Sequence, residues 1–318
     1  MIRSFVAVAL LGLSATLRAG ESPPKRLLLD GAVSGVGVVA VGERGTIIRS
    51  EDGGHTWNSV PGPTTATLTA ISFADGPAAN IGWAVGHDAI VIGSTDGGKS
   101  WMKVYQGESL QDSFLDVLAV DGPRAIAVGA YGLYVATSDG GRTWARRKLG
   151  PDDYHFNRIT AGEGTTLYLA GEHGTLLRST DLGIKWSALQ APYEGSFYGL
   201  VSPGRSVLIA HGLRGRIFRS EDDGKTWQTI ATPESNSLAT MARLRDGALL
   251  SGGQSRSLLV SRDRGATFTV VPDVLPAGIA RLLELPKGHI LALGEAGATV
   301  IDSSRITPPA GAPTPRMP

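Results

Sequence analysis

The sequence predicts an all-β fold, a seven-bladed β-propeller of four-stranded blades. Three observations support this prediction: a motif that returns at intervals of just over 40 residues, short apolar segments separated by turn residues, and a high glycine content. The 43 glycines among 318 residues are well above the roughly 7% of an average protein. They follow no Gly-X-Y period, so they indicate many tight turns between short strands.

The repeated motif appears first as "VGERGTIIRSEDGGHTW", from Val41 to Trp57. It returns in four similar copies, in a sixth copy that has Phe268 in place of the tryptophan, and in a seventh, from Leu293 to Ser304, that stops before the acidic turn. The aromatic residue falls at positions 57, 101, 144, 186, 227 and 268, a spacing of 41 to 44 residues. This is the size of one propeller blade, and a single blade cannot cover both of its faces, so seven copies predict a ring.

Each complete copy contains four short strands with turn residues between them. In the second copy these strands begin at Leu68, Ile81, Ile90 and Trp101. The seventh copy offers three strands, and a free edge strand would promote aggregation. The residues from about Lys25 must supply the first strand of blade 1, and they are also available as the outer strand of blade 7. We therefore expect the segment from Lys25 to Leu29 to take part in ring closure.

The acidic turn of the motif, S-x-D-x-G-x-x-W, predicts a structural role. Its aspartate can accept hydrogen bonds from backbone N–H groups of the hairpin, its glycine supplies a positive φ, and its tryptophan can pack against the neighbouring sheet. We assign this structural role to the following residues: Asp52, Trp57, Asp96, Trp101, Asp139, Trp144, Asp181, Trp186, Asp222, Trp227 and Asp263.

The two ends of the chain carry different signals. Residues 1–20 combine a cation at Arg3, an apolar run from Phe5 to about Leu17, and small residues at Ala19 and Gly20, which is typical of a cleaved secretory signal peptide. The run is too short to span a bilayer comfortably, and an uncleaved membrane anchor is the alternative. We expect a periplasmic or secreted protein with a propeller over 21–304 and a flexible, proline-rich tail over 305–318.

Charge and composition exclude several kinds of site. The formal net charge is +1, and without Arg3 and Arg18 the chain is close to neutral, which provides no overall field for binding nucleic acid. The absence of cysteine excludes disulfides, thiol catalysis and thiolate metal sites. The six histidines show no metal-ligand spacing, so we predict no metal and no cofactor; a site assembled across blades from His87 and His173 is the alternative.

The pattern "VG..G.I..S.DGG.TW" resembles the Asp-box, or bacterial neuraminidase, repeat, in the form found in the photosystem II stability and assembly factor family. The resemblance extends over about residues 27 to 304. It implies a seven-bladed, non-catalytic propeller that binds nascent membrane-protein partners. The matching residues are those that build blades, so they specify the scaffold and leave the partner and the host's physiology open.

Sialidases also carry Asp boxes on propellers, which makes an enzyme the main alternative. Their early R-I-P motif does not occur here, and "RIF" from Arg216 lies late in the chain, in a predicted third strand. Paired carboxylates of a glycosidase stay open as an alternative, because acidic residues fall in equivalent turns around one face, namely Glu43, Asp88, Glu172 and Glu295. We predict no catalytic residue, with a sialidase-like glycoside hydrolase or a lectin as the alternative function.

The alternation of strands assigns the loops to two faces. The turns between second and third strands, together with the blade-to-blade loops, lie on one face, and the acidic turns lie on the other. The first face carries the irregular residues, and aromatic residues and arginines most often dominate protein interfaces. The predicted partner-binding residues are Arg44, Tyr105, Tyr154, Tyr193, Arg214 and Arg256.

Some tyrosines and arginines of the repeat have competing interpretations. Packing and partner contact are equally favoured for four tyrosines, Tyr105, Tyr154, Tyr193 and Tyr198. Arg49, Arg178 and Arg219 recur before the serine of the acidic turn, which indicates exposed or inter-blade structure. The sequence as a whole predicts an exported, monomeric assembly or accessory factor that binds a protein partner, either a membrane complex or an envelope complex.

Overall fold

The computed structural model describes residues 26–204, 206–233 and 235–306, and these residues form an all-β molecule. The strands make seven antiparallel sheets, and each sheet is built from strands that follow one another in the chain. Six sheets have four strands and the last has three. The predicted seven-bladed β-propeller is therefore confirmed.

The first three blades consist of these strands: β1 (Leu28–Ser34), β2 (Gly37–Gly42), β3 (Ile47–Ser50) and β4 (Asn58–Ser59) in blade 1; β5 (Leu68–Phe73), β6 (Gly82–Gly86), β7 (Ile90–Ser94) and β8 (Met102–Gln106) in blade 2; β9 (Phe114–Ala119), β10 (Ala125–Gly129), β11 (Tyr134–Thr137) and β12 (Ala145–Arg146) in blade 3.

The other four blades follow in the same way: β13 (Phe156–Ala161), β14 (Leu167–Gly171), β15 (Leu176–Ser179) and β16 (Ser187–Ala188) in blade 4; β17 (Phe197–Gly204), β18 (Val207–Gly212), β19 (Ile217–Ser220) and β20 (Gln228–Ile230) in blade 5; β21 (Thr240–Arg243), β22 (Leu249–Gly252), β23 (Leu258–Ser261) and β24 (Thr269–Val270) in blade 6; β25 (Ile279–Glu284), β26 (Ile290–Gly294) and β27 (Gly297–Ile301) in blade 7.

The hydrophobic core is divided into seven clusters, one between each pair of neighbouring blades. Between blades 1 and 2, for example, Val39 and Val41 pack with Ile71 and Ala84. The second strand of a blade is buried on both faces, because it lies inside its own sheet and between two neighbouring sheets. Apolar surface is thus covered at the sides of the blades, and polar side chains collect in the loops at their two ends.

Ring closure uses side-chain packing rather than a shared sheet. Leu28 begins β1, the innermost strand of blade 1, and packs with Leu285, Leu291 and Trp57 in the cluster between blades 7 and 1. The strand pairs with β2 alone, so the expectation that this segment could also supply a fourth strand to blade 7 is wrong for its described part. Lys25, the first residue of the predicted segment, lies outside the described residues.

The last described residues belong to the propeller core. After β27 the chain forms a short 3₁₀ turn, in which the Asp302 carboxylate accepts a hydrogen bond from the Ser304 N–H. Ile306 is 2% exposed and packs in the cluster between blades 6 and 7, beside the aliphatic residues Val274 and Leu275. The packed structure therefore extends two residues beyond the predicted boundary at 304, and an isoleucine occupies a core position after the incomplete seventh motif.

The predicted signal peptide over 1–20 and the tail after Ile306 lie outside the described residues. Among the described residues, no helix is long and apolar enough to cross a membrane.

Candidate partner-binding face

The acidic turns form the first of two end faces, and their side chains are bound to their own backbone. In blade 1 the Ser50 hydroxyl donates to Asp52 Oδ1 at 2.8 Å and accepts the Gly54 N–H at 2.8 Å. The other oxygen of Asp52 accepts the Thr56 hydroxyl at 2.6 Å, and the Trp57 indole N–H donates to the Gly54 carbonyl at 3.0 Å. The motif is a closed hydrogen-bonded turn that fixes the start of the outer strand.

The hydrogen bonds to the aspartate recur in the other complete motifs, although blade 4 has Lys185 in place of the hydroxyl donor, and they lower the pKa of the carboxyl groups. Burial alone would raise the pKa of Asp52, but hydrogen bonds from the Thr56 hydroxyl and N–H and from the Ser50 hydroxyl lower it to about 2. Hydrogen bonds from the hydroxyl and N–H of Thr143 lower the pKa of Asp139 to about 2 in the same way. These carboxylates are ionised and occupied by hydrogen bonds within the turn, which gives them a structural role.

Two of the three predicted arginines before the turn serine form hydrogen bonds between blades, whereas the Arg178 Nε is buried without a hydrogen-bond partner among the described residues. The Arg49 side chain donates through Nε to the Gly97 carbonyl of blade 2 at 3.4 Å and through Nη2 to the Val36 carbonyl at 2.9 Å. Arg219 repeats the first contact, with its Nε 3.1 Å from the Arg264 carbonyl of blade 6. Both arginines therefore link neighbouring blades at the acidic-turn face, as their regular spacing indicates.

The opposite face consists of the tight hairpins between second and third strands. In blade 1 the Thr46 N–H donates to the Glu43 carbonyl at 3.0 Å, which closes the turn around Arg44 and Gly45. Arg44 and Gly45 both have positive φ values, as the turn type that matches strand twist requires. A Cβ on Gly45 would lie 2.1 Å from the Thr64 carbonyl oxygen, so glycine is required there, whereas Arg44 projects freely.

The same left-handed backbone conformation recurs in six turns of this face, at the residue equivalent to Arg44, and none of these residues is glycine. Large or polar side chains adopt it although glycine would do so at lower cost, and such strain often marks functional positions. The residues and their φ values are Arg44 (53°), Asp88 (58°), Tyr131 (54°), His173 (49°), Arg214 (59°) and Ser255 (53°). We call these six residues the hairpin ring.

The three predicted arginines lie at the tips of these turns. Arg44 and Arg214 belong to the hairpin ring, and Arg256 follows Ser255 with a φ of 64°. All three side chains are exposed. Beside them, the Arg216 guanidinium lies over the Tyr193 ring at 4.8 Å from its centroid, a cation–π arrangement. Blades 5 and 6 therefore present exposed guanidinium groups on the hairpin face.

Two of the predicted tyrosines are packed into the scaffold. Tyr105 is half-buried, with its ring centroid 6.2 Å from those of Phe114 and Trp144. Tyr193 stacks on Phe218 at 5.3 Å, and its hydroxyl donates to the Ser196 carbonyl at 3.1 Å. The expected placement of Tyr105 in a blade-to-blade loop is wrong, because it belongs to the outer strand β8 and pairs with Val91. Irregular spacing in the sequence does not separate packing from exposure. Their contact with a partner stays a prediction.

Tyr154, the third predicted tyrosine, is 37% exposed and lies in an aromatic cluster. Its ring stacks on His173 with a centroid separation of 4.4 Å, and Tyr131, 63% exposed, meets His155 edge-on at 4.8 Å. The His155 Nδ1 lies 3.5 Å from Glu172 Oε2. Blades 3 and 4 therefore present four adjacent rings on the hairpin face, whose pairing could not be read from positions in the sequence.

The carboxylates considered for glycosidase chemistry serve largely as turn anchors. Glu43 Oε1 accepts the Leu27 N–H at 3.3 Å, and Glu172 Oε2 accepts the His155 N–H at 3.3 Å. Glu295 Oε2 accepts the Gly278 N–H at 3.2 Å. In these three blades the hairpin glutamate therefore binds the backbone just before the innermost strand of the same blade. Among the described residues, no group of three histidine, aspartate or glutamate side chains is arranged to hold a metal ion.

A model of the family described as "Photosynthesis system II assembly factor YCF48" matches residues 34–126 and 106–252, which together make up more than half of the chain. The chain belongs to this family. The family assignment that the motif suggested is therefore confirmed, and it rests on the same blades that supply most of the hairpin ring.

Curated relatives cover part of the chain. The photosystem II stability/assembly factor HCF136 of Oryza sativa subsp. japonica is 26% identical over 172 residues, 52% of this chain and 39% of that protein. The photosystem II assembly lipoprotein Ycf48 of Synechococcus sp. (strain CC9902) is 25% identical over 175 residues, 54% of this chain and 45% of that protein. The matched part thus spans less than half the length of these relatives.

Solved structures of the family and of other propellers share the fold. A structure of YCF48 bound to D1 peptide has a TM-score of 0.72 at 20% identity and covers 94% of this chain and 98% of that one. YCF48 from Cyanidioschyzon merolae has a TM-score of 0.69 at 16% identity, covering 87% and 95%. The GH74 enzyme of Niastella koreensis reaches 0.64 at 15% identity, covering 88% of this chain and 43% of that chain. At these identities the likeness establishes the fold alone.

Proposed function

We propose that this member of the YCF48 family is an exported, non-catalytic assembly factor that binds a protein partner, a subunit of a membrane or envelope complex, through its hairpin face. The hairpin ring carries this proposal, because six exposed turns keep the same strained backbone while presenting arginine, tyrosine, histidine and acidic side chains. A scaffold without a ligand would gain stability from glycine or asparagine at these positions.

Two parts of the face differ in chemistry, and both suit a protein partner. Arg214, Arg216 and Arg256 present exposed cations on blades 5 and 6, while Tyr131 and Tyr154 present rings on blades 3 and 4. Aromatic and arginine side chains carry much of the binding energy at protein interfaces. The relatives named as photosystem II assembly factors support the same class of function.

The proposal is tested by capture from native membranes with a tagged protein. The test variant combines Arg214→Asn, Arg256→Asn and Tyr154→Ala on the hairpin face. The control variant combines Lys99→Gln, Lys185→Gln and Lys225→Gln, exposed residues of the acidic-turn face. A membrane protein retained by wild type and control, and lost by the test variant in quantitative mass spectrometry, is the expected result. Equal capture by all three proteins would refute binding through this face.

Export rests on the first 20 residues and has its own test. We propose that the signal peptide is removed near Gly20 or Glu21, which leaves the propeller in the periplasm or outside the cell. Amino-terminal sequencing of the protein recovered from its native host should find a start at one of these residues. A protein that retains Met1 in the membrane fraction would instead support the anchored alternative.

A further inference from the structure

One position of the repeat points into the centre of the ring and carries different residues in different blades. In each blade an apolar residue lies at or just before the start of the innermost strand, and this position is the second residue after that apolar residue. From blade 1 to blade 7 this position is occupied by Asp30, Ala70, Asp116, Arg158, Gly199, Thr240 and Arg281. We call it the channel position. Sequence reasoning passed over it, although aligning the seven copies shows four charged residues within otherwise apolar strands.

In blades 1 and 3 the channel position supplies a carboxylate to the next blade. Asp30 Oδ2 accepts the Ile71 N–H of blade 2 at 3.0 Å, and Asp116 Oδ2 accepts the Ile159 N–H of blade 4 at 2.8 Å. Each N–H belongs to the residue that follows the channel position of the next blade. At these two seams a carboxylate therefore joins neighbouring innermost strands, and burial raises the pKa of Asp116.

Blade 5 lacks this carboxylate because its channel position is Gly199. A Cβ on Gly199 would lie 2.5 Å from His211 Nε2, so the buried imidazole ring excludes any side chain there. The His211 Nδ1 lies 3.0 Å from the Leu238 carbonyl oxygen, which can only accept, so Nδ1 carries the proton. Burial, helped by the nearby Arg158, lowers the pKa of His211 to about 4, which keeps the imidazole neutral near pH 7.

A cavity of about 20 Å³ lies at this seam, room for an oxygen-sized atom. Thr240, 2% exposed, lines it, and the Thr240 hydroxyl has no hydrogen-bond partner within the described part of the chain. Met241, whose N–H corresponds to those of Ile71 and Ile159, lines it too. The cavity adjoins a recess of about 440 Å³ that shares Met241 and Arg281 with it and provides access from solvent.

Two guanidinium groups make the cavity rich in hydrogen-bond donors. Arg158 Nη1 lies 3.3 Å from Asp116 Oδ1, and Arg281 Nε lies 3.0 Å from Asp30 Oδ1. Arg158 Nη1 also lies 3.9 Å from Asp30 Oδ2. A guanidinium carries five N–H donors, and these ion pairs involve one nitrogen of each group, so other nitrogens can donate to a further acceptor. A planar carboxylate matches such donors better than water or a spherical ion, because it can accept two parallel N–H bonds.

We propose that the cavity and the adjoining recess together bind a carboxylate that is not part of the propeller strands, with one oxygen of the group in the cavity. At the seam of blades 5 and 6 the carboxylate takes the place that Asp30 and Asp116 take at their own seams, bound by Thr240, Arg281 and Arg158. It reaches the site through the adjoining recess. A small carboxylic acid and an acidic side chain of a protein partner are the two sources of this group.

The test is calorimetric titration of the full mature protein at constant ionic strength. The probes are acetate, chloride, and the blocked peptide acetyl-Ala-Asp-Ala-amide, which carries one side-chain carboxylate. Saturable binding of acetate identifies a free acid as a sufficient ligand, and binding of the peptide alone identifies a partner's side chain. Binding of neither, with dissociation constants weaker than about 100 mM, overturns the proposal, as does equal binding of chloride.

Thr240→Val is the decisive variant, because it removes the hydroxyl and keeps the shape of the side chain. It should weaken binding by about tenfold or more and leave the unfolding temperature unchanged or higher, since the hydroxyl has no protein partner to lose. Arg281→Lys should weaken binding as well, because lysine cannot present two parallel donors.

Thr69→Val is the matched control on the far side of the ring. The Thr69 hydroxyl lies 3.1 Å from the Val85 carbonyl and 2.9 Å from the Phe114 carbonyl, so this variant should lower stability and leave carboxylate binding intact. Unchanged binding in both Thr240→Val and Arg281→Lys would show that the ligand binds elsewhere.

Discussion

The two end faces of the propeller differ in which features recur from blade to blade. On the acidic-turn face both the residues and the hydrogen bonds recur, so that Asp52, Asp96 and Asp139 each accept a hydroxyl at 2.6 Å. On the hairpin face the backbone recurs and the side chains vary, from Arg44 to Tyr131. A side chain bound by its own turn has no capacity for a partner, whereas an exposed side chain on a fixed backbone has.

This difference offers a rule for reading other repeat proteins. Residues that recur with every blade build the blade, and a site is found where the geometry recurs without the residue. The channel position obeys the same rule, because aspartate, arginine, glycine and threonine occupy one place in successive strands. Variation at a fixed backbone position is therefore more informative about function than the repeated motif.

Trp57→Ala should produce the largest loss of stability, because it removes the tryptophan of the repeated motif at the contact between blades 7 and 1, where the ring closes. The indole is buried between blades 7 and 1 and donates to Gly54. Removing a buried tryptophan costs about 3–5 kcal/mol, which chemical denaturation would measure. Trp227→Ala is the control, since that indole is half-buried and its loss should cost clearly less. Equal losses would show that the closure has no special dependence on Trp57.

Tyr193→Ala and Tyr154→Ala separate packing from exposure on the hairpin face. Tyr193 loses its stacking on Phe218 and its hydrogen bond to Ser196, a cost of about 2 kcal/mol for a half-buried ring. Tyr154 loses a surface contact with His173, so its variant should unfold within about 0.5 kcal/mol of the wild type. The same denaturation curves, followed with partner capture, should show stability lost in the first variant and capture lost in the second.

The sequence predicted the blades, the closed acidic turns and the division into two faces, because each depends on local spacing that repeats along the chain. It did not distinguish Tyr105 and Tyr193 from Tyr154, since burial of a residue at the edge of a blade depends on the next blade. It also missed the pairing of Asp116 with Arg158, which lie 42 residues apart in sequence and meet only when blades 3 and 4 pack together. Contacts between blades are long-range in sequence, and no local pattern encodes them.

Asp52→Asn tests the acidic turn through its pH dependence. The pKa of Asp52 is lowered from 3.8 to about 2 in the folded protein, so the ionised carboxylate stabilises the fold above pH 3.8. That stabilisation is lost as the pH falls through about 2. The unfolding temperature of Asp52→Asn should therefore lie below that of the wild type at pH 7, and the difference should shrink between about pH 4 and about pH 2. A difference independent of pH would contradict the ionised turn.

Arg214→Asn should have the smallest effect on stability and the opposite sign. Asparagine tolerates a left-handed backbone better than arginine does, so relief of strain at a φ of 59° should raise the free energy of unfolding by up to about 1 kcal/mol. The same change removes an exposed guanidinium from the hairpin ring, and capture of the partner should fall. Arg262→Asn, on the acidic-turn face, is the control for loss of one exposed arginine, and it should leave capture intact. A gain in stability joined to a loss of binding would show that the strained arginine is held for recognition. A stable variant with full capture would remove Arg214 from the interface.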